Sequence, residues 1–304
     1  MSKAVSYSRH GGPEVLEIVE VAEPHAGPGQ VRVAVRAAGL NAFDFKVRSI
    51  AGYLPSLTLP TGQGSEFAGV VDEVGDGVVS SAVGDEVLGW ASFAAQAEYV
   101  VVAATHVAPK PPSLDWATAG GLGAAGNTAE RTVAALAPQP GDTVLVSAAA
   151  GGVGLIASQL LIRAGATVVG TASPANHEFL RSLGVVPVAY GAGLVQRVQD
   201  VAPQGITAVL DNSGEETVLA ALELGVAADR INTIVWYDGA AKYGITTVGG
   251  GGKTAGALAG LAELVAAGDI RIPLAATFPL AEVRAAYELL EGRHLLGKVV
   301  LTLP

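Results

Sequence analysis

The stretch "VLVSAAAGGVGLIASQLLIRAG", residues 144–165, decides the fold. An apolar run of Val and Leu breaks into small residues and glycines, and an apolar, helix-like segment then runs to Gly165. A strand, a bare turn and a helix N-terminus make an anion site: free amide N–H groups and the helix dipole attract negative charge, and missing side chains let it approach. In "AAGGVG", residues 149–154, Gly151 and Gly154 take the second and third places of G-x-G-x-x-G, and Ala149 takes the first. A strand before, a helix after and a second strand about twenty residues on supply the context of a dinucleotide site. The backbone of Ala150, Gly151, Gly152, Val153 and Gly154 is the candidate pyrophosphate cradle. The alternative is a tight strand–helix turn with no ligand.

The second strand, "ATVVGTAS", ends at Ala172 and Ser173, and no acid follows until Glu178. An NAD site usually carries Asp or Glu there for the ribose 2′-hydroxyl, and such a carboxylate would repel a 2′-phosphate. Its absence favours NADPH. Ser173 can donate a hydrogen bond, with Asn176, His177, Arg181 and Tyr190 as candidate neighbours. Ser173 reads equally well as a cap for the helix that follows.

Working outward, the strand–helix alternation runs over 118–253, which predicts a Rossmann-type, doubly wound parallel sheet. "SLDWATAGGLGAAGNTAERTVAAL" opens it as one helix with Ser113 at its N-cap, and "RINTIVWYDG" reads as a late strand. Residues 1–117 are instead short strand-like runs punctuated by "HGGPE" and "EPHAGPG". The tail, 254–304, carries two helices and a final strand, "GKVVLTLP", able to return to the β-rich part. The fold class expected is therefore α/β.

Composition removes several functions. The 304 residues are 50% apolar and 15% charged, enough for two packed domains. A formal net charge of -10 without a Lys/Arg cluster argues against a nucleic-acid partner. The absence of cysteine rules out disulfides, thiolate catalysis and cysteine-based zinc sites. No apolar run spans a bilayer and "MSKAVSYSRHGGPEVLEI" has no signal-peptide core, so a cytoplasmic protein without a membrane partner is expected. The five histidines form no H-E-x-x-H pair, and no G-x-S-x-G elbow occurs. "TVGGGGKTAGALAGL", residues 247–261, approaches a P-loop with Thr247 for the first glycine and Lys253 as its lysine. Too little chain follows to complete a P-loop sheet, so this segment reads as a loop and helix start.

Taken in order, "GGPEVLEI", "VRVAVRAAGLNAFDFKVRSIAGY", "GSEFAGVVDEVGDGV", "VGDEVLGW", "AEYVVV", "AAAGGVG" and "GKVVLTLP" resemble the medium-chain dehydrogenase/reductase superfamily, in its zinc-independent quinone oxidoreductase branch. The resemblance implies a GroES-like catalytic domain, formed by the β-rich part and the returning tail, around an inserted Rossmann domain. Zinc-dependent relatives carry a Cys near the position of Asn41 and a His where Ser65 stands, so no metal is implied. It further implies Asn41 and Asp44 near the nicotinamide and substrate, with Asn41 orienting a carbonyl. Asp44 reads equally as a structural cap, and Tyr53 as a substrate contact or a rim aromatic. Thr128 corresponds to a position beside the nicotinamide-ribose phosphate, although Glu130 replaces an aromatic frequent in the family. Asn212 and Ser213 would flank the cofactor ribose, the backbone at Trp236 and Tyr237 would meet the carboxamide, and Lys298 would reach the phosphates or serve as a strand-edge lysine.

The activity implied is metal-free hydride transfer from NADPH to a quinone or an α,β-unsaturated ketone. Alternatives are a natural-product enoyl reductase with one substrate, or a non-redox sensor or cyclase that keeps the cofactor fold. Relatives often pair through their Rossmann sheets, which leaves a homodimer open.

Overall fold

The computed structural model describes residues 1–248, 252, 254–292 and 294–304. The chain divides into two units, Met1–Asn127 with Thr254–Pro304, and Thr128–Lys253.

In the first unit the mixed sheet runs in the order Leu274–Pro279, Lys298–Thr302, Gln30–Gly39, Glu66–Val74, Glu86–Trp90 and Val107–Pro109, and Tyr99–Ala103 also pairs with Gln30–Gly39. The tail strand Lys298–Thr302 lies antiparallel to Gln30–Gly39, with Val300 opposite Gly39. The tail thus completes the β-rich part. Along Gln30–Gly39, Val31, Val33 and Val35 point into a core with Phe67, Val71, Tyr287 and Leu301, as the period of two demands. The last three positions, Ala37, Ala38 and Gly39, are all buried because a short helix, Trp116–Gly120, lies on them. A Cβ on Gly120 would stand 2.6 Å from that of Ala37, and one on Gly39 would stand 2.8 Å from the Gly120 carbonyl. This close approach also sets the N-terminal turn of Gly123–Leu136 beside Glu66, whose carboxylate accepts the Ala124 and Ala125 N–H groups at 2.7 and 3.0 Å.

Two expectations change here. The helix does not start at Ser113: Asp115 is the cap, accepting from the Thr118 N–H at 2.9 Å, and the helix breaks at Gly121 before restarting at Gly123. The first unit accordingly extends to Asn127 rather than 117, because these helical turns pack on its strands.

The second unit holds five parallel strands in the order Val186–Val188, Thr167–Thr171, Thr143–Val146, Ala208–Asp211 and Ile231–Thr233. Numbered along the chain this is 3-2-1-4-5, the doubly wound Rossmann order, which reverses between Thr143–Val146 and Ala208–Asp211. Those two strands are buried at every position, since helices cover both faces. Gly184, with φ at 86°, closes the helix His177–Ser182 in the left-handed region. The strand expected over "RINTIVWYDG" stops at Thr233, and Tyr237–Tyr243 is a helix. The Thr233 hydroxyl accepts the N–H groups of Val235 and Trp236 at 3.3 and 3.1 Å, which turns the chain out of the sheet. Residues 249–251 and Lys253, the heart of the P-loop-like segment, lie outside the described residues. Among the described residues no helix is long and apolar enough to cross a membrane.

Candidate functional site

The glycine turn of the second unit is built by its neighbours. Ala148, at φ 48°, donates to the Thr171 hydroxyl at 3.1 Å, and Ala149 donates to the Thr171 carbonyl at 2.9 Å. The first G-x-G-x-x-G position tolerates alanine because the adjacent strand carries Gly170, where a Cβ would come within 2.7 Å of the Ala149 methyl. Gly154 is demanded by packing: a Cβ there would meet the Ala148 carbonyl oxygen at 2.3 Å. Gly151 is different. It stands extended at the N-cap of the helix Gly152–Arg163, and a Cβ there would touch only the Ala148 carbonyl oxygen, at 3.3 Å. The fold does not need a glycine at 151. The helix start also has no side-chain cap, and its first α-helical bond is Leu155 N–H to the Gly151 carbonyl at 2.8 Å. The Gly152 and Val153 backbone is partly exposed above this start, whereas Ala150 is buried.

At the end of the next strand, the Ser173 hydroxyl is buried without a hydrogen-bond partner and does not cap the turn Pro174–Asn176. A buried hydroxyl left open costs stability, and a bound water or ligand can supply its partner. The pairing of a bare N-cap and an orphaned hydroxyl on adjacent strand ends fits a phosphorylated dinucleotide. His177 Nε2 lies 3.1 Å from the Ala172 carbonyl oxygen, and Asn176 is buried beside it. Tyr190 is 45% exposed on a loop clasped by Arg197, which donates to the carbonyls of Ala189, Tyr190, Gly191 and Ala192.

Asp211 organises the end of the strand Ala208–Asp211. Its Oδ1 accepts from the Ser147 hydroxyl at 2.9 Å and the Ser213 and Gly214 N–H groups at 3.0 and 2.9 Å, while Oδ2 accepts from the Thr233 hydroxyl at 2.7 Å. Asn212 is committed to the same network, its side-chain amide donating to the Ser147 carbonyl at 2.8 Å. Ser213 stays exposed, with its hydroxyl 2.9 Å from that of Thr217. The Trp236 N–H is committed to the Thr233 hydroxyl, while its carbonyl accepts from the Ala240 N–H and keeps a second lone pair. Thr128 lies half-buried in the helix Gly123–Leu136, next to Ala129 and Glu130. Burial raises the Glu130 carboxyl above its ordinary pKa.

In the first unit, the helix Ala42–Ser49 begins at Asn41, whose N–H is held by Asp44 Oδ2 at 2.9 Å. Asp44 is fully buried and its other oxygen accepts from the Ser65 hydroxyl at 2.5 Å, so it serves the fold as a cap rather than meeting a substrate. Lys298 is also reassigned. It is 3% exposed, and its ammonium donates to the Leu40 carbonyl at 2.8 Å and Asn41 Oδ1 at 2.7 Å and pairs with Glu66 Oε1 at 2.6 Å. All three hydrogens are used, leaving none for a phosphate. Glu66, the residue missed from sequence although "GSE" was in view, anchors this cluster. Tyr53 is half-buried, its ring edge-on to Phe43 at 6.3 Å, and Phe43 stacks on Phe93 at 6.1 Å. The two phenylalanines were not anticipated.

Burial pushes Asp44 up from 3.8 to about 6, with the Glu66 charge adding to it and the Ser65 hydroxyl, Asn41 N–H and Lys298 ammonium opposing. A raised folded-state value means that the stabilisation is complete below the unfolded value and is lost as pH climbs through the folded one. Asp44→Asn should therefore gain on the wild type as pH rises from about 3 to about 7, by about 3 kcal/mol at 1.36 kcal/mol per unit. Denaturant unfolding of both proteins across that range checks it. A pH-independent difference would show that Asp44 does not titrate in this window.

The chain matches the family model of the alcohol dehydrogenase GroES-like domain over residues 27–112 and that of the zinc-binding dehydrogenase over residues 183–301. Among the described residues no group of three or more His, Cys, Asp or Glu side chains is placed to hold a metal ion. A quinone oxidoreductase of Pseudomonas aeruginosa is 32% identical over 336 residues, a match covering 99% of both chains. The quinone oxidoreductase of Coxiella burnetii superposes with a TM-score of 0.88 at 30% identity, over 100% of this chain and 99% of the other. The Escherichia coli quinone oxidoreductase, solved in complex with NADPH, gives a TM-score of 0.85 at 26% identity, over 99% of this chain and 100% of the other. With its Rossmann order, its tail-completed β-rich unit and these full-length likenesses, the chain belongs to the medium-chain dehydrogenase/reductase superfamily, in its quinone oxidoreductase-like branch.

Proposed function

We propose that this protein is an NADPH-dependent reductase that passes a hydride to a quinone or an α,β-unsaturated ketone. The observation that carries the reading is the bare N-cap at Gly151 beside the unpartnered Ser173 hydroxyl. The names of the relatives, and the NADPH present in one of their structures, support it.

When bound, the cofactor supplies the hydride. The amides opening the helix Gly152–Arg163, together with its dipole, neutralise the pyrophosphate. Ser173 donates to the 2′-phosphate, where a carboxylate would repel it. Asn41 donates an amide hydrogen to the acceptor carbonyl. Reduction of a conjugated double bond spreads the developing charge over an enolate, or over the rings of a hydroquinone, so a neutral donor serves the oxygen. Solvent then returns the proton.

The test is loss of NADPH absorbance against a panel of quinones and enones. Turnover with at least one class is expected, and firm cofactor binding with no turnover on any acceptor would overturn the reading. For cofactor choice, Ser173→Asp should shift the NADPH/NADH affinity ratio towards NADH by on the order of 100-fold, since like charges at close range cost several kcal/mol and each 1.4 kcal/mol is tenfold. Titration of both cofactors measures the ratio; an unchanged value would remove Ser173 from the 2′-phosphate.

A further inference from the structure

We propose that Lys298 and Glu66 are positioning residues that lock the Asn41 amide in one of its two flips, so that a single Nδ2–H faces the acceptor oxygen. This rests on the reductase reading for its role, and on the first unit alone for its geometry.

A side-chain amide can turn through half a circle and exchange its oxygen for its nitrogen, so its orientation follows from its neighbours. Here the neighbours allow no ambiguity. An ammonium only donates and an ionised carboxylate only accepts. Lys298 Nζ stands 2.7 Å from Asn41 Oδ1, and Glu66 Oε1 stands 3.0 Å from Asn41 Nδ2. The reverse flip would set N–H against ammonium and oxygen against carboxylate.

The two locking groups are themselves fixed. Lys298 spends its remaining hydrogens on the Leu40 carbonyl and Glu66. Glu66 Oε2 is held by the Ala124 and Ala125 N–H groups, at 2.7 and 3.0 Å. The Asn41 backbone is tied by its N–H to Asp44, and the neighbouring Leu40 N–H reaches the Val299 carbonyl at 3.0 Å. Lys298 and Glu66 are buried, and only Asn41 is partly exposed. One Asn41 Nδ2 hydrogen is taken by Glu66, and the other has no acceptor among the described residues. The cluster therefore has one outlet, a donor whose direction is set before any substrate arrives. A preorganised donor aimed at developing negative charge stabilises a transition state without reorganising, whereas the flipped amide would present its oxygen to that charge and repel it.

When bound, NADPH would supply a hydride to the β-carbon and leave as NADP⁺; the double-bond electrons would move to the carbonyl oxygen, and the resulting enolate would take a proton from water. Asn41 meets the charge on that oxygen, and Lys298 and Glu66 act only through Asn41.

The experiment is a double-mutant cycle. Lys298→Met combined with Glu66→Gln should lower kcat by about 10- to 100-fold, within the range seen for a lost oxyanion donor, while the NADPH dissociation constant stays unchanged. In an Asn41→Ala background the same change should cost less than about twofold, because there is no amide left to orient. A structural role would cost the same factor in both backgrounds and would overturn the proposal. Lys298→Met alone would leave the Glu66 charge buried and still accepting from Asn41, so the neutral pair is the variant used. It should fold, bind NADPH and remain slow, because the introduced glutamine must keep its oxygen on the Ala124 and Ala125 N–H groups and so turns its own amide hydrogens towards Asn41. Full activity in this folded variant would also overturn the proposal.

The ¹⁵N–¹H signals of the Asn41 side chain, recorded without cofactor, give an independent readout. In the wild type the Nδ2 hydrogen bonded to Glu66 should be protected from exchange and the other should not, and that protection should be lost in Lys298→Met with Glu66→Gln, where neither neighbour holds the amide in this flip. Identical signals in the two proteins would refute the lock. Because this arm needs no turnover, absence of any reductase activity would sink the proposed function while the signals still decide the orientation.

Discussion

Gly151→Asp is expected to leave the protein folded and to weaken NADPH binding at least about 100-fold. The two effects have opposite signs for separate reasons. A Cβ at 151 meets one carbonyl oxygen at 3.3 Å, within what a small backbone shift absorbs, and the extended φ of −83° suits any residue. Aspartate is moreover a favoured N-cap, so its carboxylate, accepting one of the free N–H groups, should stabilise the helix Gly152–Arg163 by a few tenths of a kcal/mol relative to glycine. The same carboxylate then occupies the anion cradle and faces the pyrophosphate, and like charges in close contact cost several kcal/mol, with each 1.4 kcal/mol a factor of ten. Thermal unfolding and a fluorescence titration with NADPH separate the terms. Undiminished affinity would take the turn out of the cofactor site, and a collapsed fold would mean that the glycine is there for packing, as at Gly154.

Asp211→Ala should destabilise the protein by about 4 kcal/mol, since each buried donor left without its acceptor costs about 1–3 kcal/mol. The carboxylate is 1% exposed and gathers hydroxyls from Ser147 and Thr233 and amides from Ser213 and Gly214. Ser147 and Thr233 lie at the ends of the strands that flank Ala208–Asp211 on either side. Alanine leaves those donors without an acceptor and unties three neighbouring strand ends at once. Denaturant unfolding gives the loss directly. A change below about 0.5 kcal/mol would place the hub among surface-like substitutions and contradict its structural role.

The sequence alone determined the fold class and the place of the glycine turn between strand and helix. Both follow from short-range physics: apolar runs of strand length alternating with helices, and a stretch around Gly151 and Gly154 with no side chains to block an anion. The missing acid at Ser173 was equally local, and the returning tail could be read from the order of motifs.

Only the tertiary structure decided what the polar residues of the first unit do. Lys298 lies 257 residues from Asn41 along the chain, and no spacing rule joins them. A lysine at a strand edge reads from sequence as free to reach a phosphate; the fold buries it and uses all its hydrogens on Leu40, Asn41 and Glu66. Asp44 read equally as a site residue or a helix cap, and the fold encloses it and makes it cap its own helix. Glu66 and Asp211 escaped notice because a lone carboxylate carries no signal until distant donors surround it. Hydrophobic period and backbone chemistry are written locally, whereas the partner of a buried charge is chosen by strand pairing across the whole chain.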